Sequence, residues 1–511
     1  MKKVLMLLIF AATVLGARMA MADAYTNSMQ GDNRLLNGTD LIFMGYANKV
    51  LEQKGKVDFR LQSNTTGLLA GATAGISEWG GVIDDEHKDF GVIGVYVNRP
   101  LAGFTNIFAA GGANNLNPSW TATGNSTVWN TTRTALALVV GLPRAYTVLT
   151  PANKVDIFYG KDSDNSDWAL HLNYADNTSG TGILNGNLDN TTTAAAPVVT
   201  ESKSQDSSRV FGGDFGFGIK NGGSFGEIDL HAGFSLGMFS STEVDTGSGA
   251  VAVNNDSLSD NGIYTISAGV LARNDLDKDS TMRLFADFTL DSFGTKASIT
   301  TDGNNSGSST DSATDTNYQN TTSQNDWNLV LGAGCNHKVN DGAAQFNTGL
   351  VGNYFSLVNK ATEQTQNAGA AAPTVSNLAI DEKDTTVYNI VWNGSVDAKV
   401  TPWLNVRGGI SKNVLSRLSV KSINNPVAPA TVTTTSTVSA TTAALDPTAG
   451  VGYSMGFGIN WQNFVLNANV SAASFETAVQ TVEPAGGVLF PNSNNGGGIV
   501  NLVEADLTYN Y

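Results

Sequence analysis

The chain has a single cysteine, Cys335, in 511 residues, so no intrachain disulfide can hold it and stability must come from packing or sheet closure. Charge is scarce too, at 14% of residues where a soluble domain averages about 25%. No stretch beyond the N-terminus has the ~20 apolar residues of a membrane helix. The four histidines, His87, His171, His231 and His337, show no metal-ligand spacing, and no Ser-His-acid pattern suggests a hydrolase. No catalytic residue, cofactor or metal site is therefore expected. Residues 275–279 (DLDKD) begin like a calcium loop, but Ser280 stands where that loop needs Gly and Ala286 where it needs Glu. They read as a polar turn. The net charge of −16 argues against nucleic acid as a partner.

Gly, at 55 residues, is abundant, and Asn, Thr and Ser crowd between apolar runs. At the start, Lys2 and Lys3, the apolar run 4–15 and Ala20-Met21-Ala22 form a secretory signal, with cleavage expected after Ala22 and, as second choice, after Ala24. The mature chain is expected to leave the cytoplasm.

From residue 154 onward the chain alternates with period 2. In 226–239, Ile228, Leu230, Ala232, Phe234, Leu236 and Met238 share one face, while Glu227, Asp229, His231, Gly233, Ser235 and Gly237 share the other. The same alternation recurs at 167–176, 209–220, 263–274, 281–292, 327–337, 342–354, 386–400, 403–412, 453–461 and 464–471. It ends in 501–511 (NLVEADLTYNY). Two-faced segments of about ten residues suit strands that cross a membrane at a tilt.

The spacers alternate as well. Short turns at 161–166, 221–225, 275–279, 339–342, 400–402 and 461–463 interleave with long polar stretches at 177–207, 241–261, 294–325, 361–384, 422–450 and 479–499. Short turns at one end and long loops at the other are the plan of an outer-membrane barrel. With 90–99 as the first strand, residues 90–511 give an all-β, antiparallel up-and-down transmembrane barrel of fourteen strands. The region 23–89, strand-like at 40–46, 56–62 and 68–76, is expected to add two strands, making sixteen, or to fold inside as a plug. Residues 101–152 would form the first external loop, with 134–142 as an extra strand or short helix. The low-complexity stretches 301–325 and 426–444 are expected to be hydrated external loops, too polar to offset the entropy of ordering.

If the oily faces meet lipid, the wet faces line the lumen. Its expected acids are Asp156, Asp214, Glu227, Asp229, Asp287, Asp291, Asp397, Glu504 and Asp506; its bases are Lys154, Lys220, Arg273, Arg283, Lys399 and Arg407. That excess of carboxylates favours cations. His171 and His231 fall on the same face as wall residues. Gly212, Gly216, Gly218, Gly233, Gly237, Gly456 and Gly458 would leave room for solute or relieve strain in a twisting wall. Trp168, Trp327, Trp392, Trp403, Trp461, Phe464, Tyr509 and Tyr511 sit near expected strand ends, where rings settle at a membrane interface.

These features resemble bacterial outer-membrane β-barrel proteins, porin-like channels in particular. The most specific element is the closing strand with Leu507, Tyr509 and terminal Tyr511, which looks like the signal such proteins present to the barrel-insertion machinery. A weaker similarity is to the long-chain fatty acid and hydrocarbon transporters, which have fourteen strands and an N-terminal hatch. Their Asn-Pro-Ala type motif is replaced here by DLIFMGYANKV (40–50). The resemblance implies a Gram-negative outer membrane, with lipids and small solutes as partners. Porins often trimerise, though no interface pattern stands out. The expected function is passive diffusion of small hydrophilic solutes with a mild lean towards cations, and no enzymatic activity. Two alternatives are a gated transporter of hydrophobic substrates and a structural or adhesive surface barrel with a closed lumen.

Overall fold

The computed structural model describes residues 28–29, 32–36, 42–62, 75–84, 90–97, 153–184, 199–220, 225–247, 253–302, 316–367, 374–425, 433–441, 451–470 and 502–510. Within them seventeen strands form one antiparallel sheet. They are β1 (Lys56–Gln62), β2 (Gly75–Asp84), β3 (Val92–Val97), β4 (Asn153–Asp162), β5 (Ser166–Leu184), β6 (Val199–Lys220), β7 (Glu227–Gly247), β8 (Val253–Asp275) and β9 (Ser280–Asp302). Then come β10 (Thr316–Val339), β11 (Ala344–Asn367), β12 (Thr374–Thr401), β13 (Leu404–Asn425), β14 (Thr433–Thr441), β15 (Val451–Trp461), β16 (Phe464–Val470) and β17 (Leu502–Asn510).

Each strand pairs with the next, except that β13 pairs with both β14 and β15, and β17 pairs with β1 from Asn510↔Lys56 to Glu504↔Gln62, so the sheet is closed. Strand β14 covers 416–424 of β13 while β15 covers 404–412, so the two share one position in the wall. The barrel thus has sixteen wall positions. This corrects the count of fourteen, because β1 and β2 come from the region before Phe90. Their signal was faint in the sequence: β1 has only seven residues, and Gly75, Gly80 and Gly81 dilute the alternation of β2. The strand-like stretch 40–46 is not a strand where it is described, since Ile42–Met44 is a 3-10 turn. The signal sequence, the stretch 101–152, the loop 479–499 and Tyr511 lie outside the described residues.

A second correction concerns length. Strands β5 to β13 run for 19 to 28 residues rather than ten. At ~3.4 Å per residue the 24 residues of β10 extend roughly 80 Å, whereas about ten tilted residues cross a bilayer. Much of what reads as loop in 177–207, 241–261, 294–325, 361–384 and 422–450 continues the hairpins instead. Thr, Ser and Asn there bury little, but each strand end is templated by the one beside it, as in the unbroken register 316–339 against 344–367. Backbone pairing needs no apolar side chain.

The outer face carries the apolar set. Leu230, Phe234, Leu236 and Met238 on β7 are exposed, as are Ile93 and Val95 on β3 and Phe211 and Phe215 on β6. On β7 this band runs over 228–238, roughly 27 Å of height at ~3.4 Å per residue and ~40° tilt, close to the ~25 Å apolar belt of outer-membrane barrels. Aromatic rings mark its edges. On the long-loop side Phe288, Trp327, Tyr354 and Tyr388 form a chain across β9–β12, with centroids 6.4, 4.5 and 4.7 Å apart. On the short-turn side Tyr159 meets Trp168 at 5.7 Å and Phe464 meets Tyr509 at 4.8 Å. Trp327 and Trp392 are within long strands rather than at strand ends. Phe234→Arg, at the middle of the belt, should destabilise the folded protein in bilayers by roughly 2–4 kcal/mol. Ser235→Arg, pointing inward, should cost far less; equal shifts in denaturant midpoint would reject this facing.

The short turns have chemistry to match. Asn340 and Asp341 both have φ 53° and Gly342 has φ 84°, left-handed positions that these residue types tolerate. In 275–279 the Asp277 carboxylate accepts the Asp279 N–H at 2.8 Å and Leu276 N–H donates to Ser280 at 2.9 Å, closing the expected polar turn.

Candidate functional site: a lumen divided by an inner segment

The described residues of the chain before β1 lie inside the barrel. They are 28–29, 32–36 and 42–55, and they follow local rules different from the wall. Asp32 opens an Asx-type turn, accepting the Arg34 N–H on its side chain at 2.9 Å and the Leu35 N–H on its carbonyl at 3.0 Å. The stretch IFMGYANKVLEQ then winds into two 3-10 turns, Ile42–Met44 and Ala47–Gln53. Its apolar residues do not alternate. They surround the turn, and Phe43, Ala47 and Val50 are fully buried.

Two apolar patches on the inner wall receive it. Phe43, Met44, Ala47, Val50 and Leu51 pack on Val82, Val92, Tyr96, Phe158 and Ala169 of β2–β5. Phe43 meets Tyr96 and Phe158 at 5.2 and 5.1 Å between ring centroids. Leu35, Ile42 and Tyr46 pack on Leu271 and Phe285 of β8 and β9. Burying a side chain the size of Phe43 contributes roughly 1.5–3 kcal/mol.

Polar contacts lock the register. Lys49 lies 2.9 Å from Asp229, pairs also with Glu227, and reaches Glu52 at 3.1 Å. Burial alone would pull the Lys49 ammonium down, but Asp229, Glu52 and Glu227 outweigh it and hold it above the ordinary lysine range. The Asn48 amide donates to Asp167 at 2.9 Å and Asp229 at 2.6 Å. Arg34 pairs with Asp287 and with Asp32, and its guanidinium lies 3.8 Å from the Phe285 ring centroid. Tyr46 donates to Asp287 at 2.6 Å. From the wall, Arg283 donates to the Leu36 carbonyl at 2.7 Å and Asn336 to that of Leu35 at 3.0 Å. On the far side Ser454 of β15 donates to the Ser28 carbonyl at 2.8 Å. The segment therefore crosses the lumen near the short-turn end.

Several lumen glycines now have a specific use. A Cβ on Gly216 would overlap the Asn48 backbone nitrogen, and one on Gly456 would overlap Ser28. A Cβ on Gly349 would come within 2.7 Å of Leu35 and one on Gly160 within 3.2 Å of Leu51. The room these glycines leave is taken by the chain's own N-terminal segment.

The expected lumen residues divide into two groups. On β4–β9, Asp156 bonds His171 at 2.8 Å, with the Phe158 ring stacked on the histidine at 4.1 Å. His231 lies between Asp214 at 3.2 Å and Asp287 at 3.3 Å, reaching across Gly269, where a Cβ would collide with both Asp287 and the imidazole. Asp214, Glu227, Asp229, Arg283 and Asp287 all contact the inner segment. Asp291 instead accepts from Thr265. Arg273 is exposed at the rim, 3.3 Å from Asp275, and Lys220 pairs there with Asp162.

On the other side, Arg407 donates to Asp397 at 3.1 Å and Asn467 at 2.8 Å, extending over Gly458. Lys399 faces Asn405, Asp506 faces Asn467, and Glu504 faces Gln62 and Asn469 in register. The Glu504 side chain lies outside the described residues. Here the inner wall is dominated by amides that charge-based reading passed over, among them Asn336 and Asn347 opposite each other and Asn353 opposite Asn389. Leu507 and Tyr509 are on the outer face of β17.

Arg34, Tyr46, Asn48 and Lys49 were not expected as site residues. The one signal for them was negative: 42–53 is apolar at helical rather than alternating spacing, in a chain otherwise of period 2.

No family model matches the chain, and no curated protein does. Among solved structures, the translocator domain of the autotransporter NalP from Neisseria meningitidis is similar at 12% identity and a TM-score of 0.19, over 78% of this chain and all of that one. The ferric enterobactin receptor PfeA is similar at 8% identity and 0.22, over 89% and 81%. The ferric-catecholate import receptor Fiu from E. coli K12 is similar at 12% and 0.21, over 89% and 73%. At these values the barrel stands on its own strand pairing, and its function on its own lumen.

Proposed function

We propose that this chain is a passive, porin-like outer-membrane channel for small hydrophilic solutes, narrowed at its short-turn end by its own N-terminal segment. The observation that carries this reading is the division of the lumen. The charged half, β4–β9, holds the segment through its ion pairs, whereas the amide-rich half, β10–β16, meets it at Val330, Asn336, Gly349, Val351, Ser454 and Gly456, with no ion pair to it among the described residues. A sixteen-strand barrel is wide enough for an aqueous path, and a polar, nearly neutral wall suits hydrophilic solutes. Because Asp214, Glu227, Asp229 and Asp287 are engaged by the segment, the lean towards cations should be mild. A hydrophobic route is less well supported. Phe158 and Phe285 lie in separate patches under the segment, and neither patch includes Phe355. The same reading has Leu507, Tyr509 and Tyr511 presenting the closing strand to the insertion machinery.

Single-channel recording in asymmetric salt tests it. Stepwise currents are expected, with a reversal potential well short of that of an ideally cation-selective pore. Purified, folded protein that gives no steps would overturn the channel in favour of a closed structural or adhesive barrel.

A further inference from the structure

We infer that the amide-lined half of the lumen is a binding track for uncharged, hydroxyl-rich solutes of the carbohydrate class; this rests on the channel reading above. On β10–β16, besides Asn336, which bonds the inner segment, six wall residues carry a buried side-chain oxygen with no hydrogen-bond partner: Asn328, Asn353, Asn389, Asp397, Asn405 and Asn469; Asp156, Asn173 and Ser208 on β4–β6 carry one as well. All six fall on the inner face of β10–β16. Asn353 and Asn389 are directly opposite, and Asn328 is one diagonal step away, opposite Phe355. Asp397, Arg407, Gly456 and Asn469 follow one another across four strands, with Asn405 two residues before Arg407. Asn469 is more than nine-tenths buried, as is its neighbour Asn467.

Buried acceptors without donors are unfavourable and uncommon, so a row of them along one wall calls for a ligand that supplies donors. A metal cation would coordinate such oxygens instead, but the one carboxylate among the six, Asp397, is already 3.1 Å from the Arg407 guanidinium. An apolar solute would leave every acceptor unmatched. A hydroxyl group donates to an amide oxygen and can accept from an amide N–H, so a polyol matches both halves of each asparagine. Adjacent strands lie about 4.8 Å apart, which lets one small sugar span two or three wall positions. The charged half has fewer such oxygens, on Asp156, Asn173 and Ser208, and the inner segment is seated on that half.

The test is single-channel recording of the full-length protein with raffinose, against a polyethylene glycol of similar size, which has ether acceptors but almost no O–H donors. Raffinose should interrupt the current in a concentration-dependent way where the glycol does not. The pair Asn353→Leu and Asn389→Leu should weaken that block about tenfold, equivalent to ~1.4 kcal/mol. If raffinose and the glycol act equally, or if the leucine pair leaves raffinose block intact, the track is refuted. A conducting pore blind to raffinose refutes the track alone. A protein that never conducts removes the channel reading and this inference with it.

Discussion

Lys49→Met should unseat the inner segment and raise the mean conductance of the purified protein. The substitution keeps most of the side-chain volume but leaves Asp229 and Glu227 without the ammonium that lies between them. Asp229 is only 2% exposed, so water cannot readily replace that partner. Breaking one side of a buried pair costs ~3–5 kcal/mol, which is on the order of 10²- to 10⁴-fold in the seating equilibrium. Lys54→Met is the internal control. Its ammonium is a third exposed and 3.9 Å from Asp84, so its loss should cost under ~0.5 kcal/mol. Conductance histograms and protease cleavage within 28–55 would report the difference. Identical behaviour of the two variants would mean that the charged half of the lumen does not hold the segment.

The second large effect is steric. Gly216→Val places a side chain where the Asn48 backbone nitrogen lies. Backbone cannot swing aside as a side chain can, and Asn48 is further pinned by Asp167 and Asp229. Overpacking of this kind costs ~1–3 kcal/mol, and the contacts of Ala47, Asn48 and Lys49 should be lost together. The barrel should still form, because position 216 is paired through its backbone to Ala169 and His231. Gly352→Ala, whose new methyl would lie 4.0 Å from the Leu331 carbonyl oxygen, should be silent. The readouts are protease access to the segment alongside heat-modifiable gel mobility, which reports the folded barrel. A Gly216→Val protein with normal mobility and a fully protected segment would show that the seat can yield.

Both variants act on residues whose importance differs in how legible it was. Asp229 and Gly216 stand out as lumen-facing by parity alone, since alternation is local and needs no partner to be seen. Lys49 and Asn48 carry no such mark. A lysine and an asparagine in a short mixed stretch look like surface residues until the wall opposite them is known. The amides Asn353 and Asn389 were hidden for another reason. They lie 36 residues apart, and only the β11–β12 register places them opposite each other.

Strand length shows the same limit. The end of the exposed apolar band at Trp327 is visible in the sequence, and the stretch beyond it, TNYQNTTSQND, looks like loop because side-chain chemistry is all that a sequence displays there. The strand continues because a neighbour's backbone is available to pair with, which is a property of the assembled sheet.

Residue order alone carries the two-faced antiparallel barrel, the outward facing of its apolar set, and the end that has short turns. These follow from a period-2 pattern and spacer lengths, both readable within a few residues. The sixteen positions of the ring, its closure by Lys56–Gln62 against Leu502–Asn510, and the seating of the N-terminal segment on the glycines and carboxylates of one half emerge only in the folded barrel. Those outcomes depend on which strands become neighbours around a closed ring, and no local pattern encodes that.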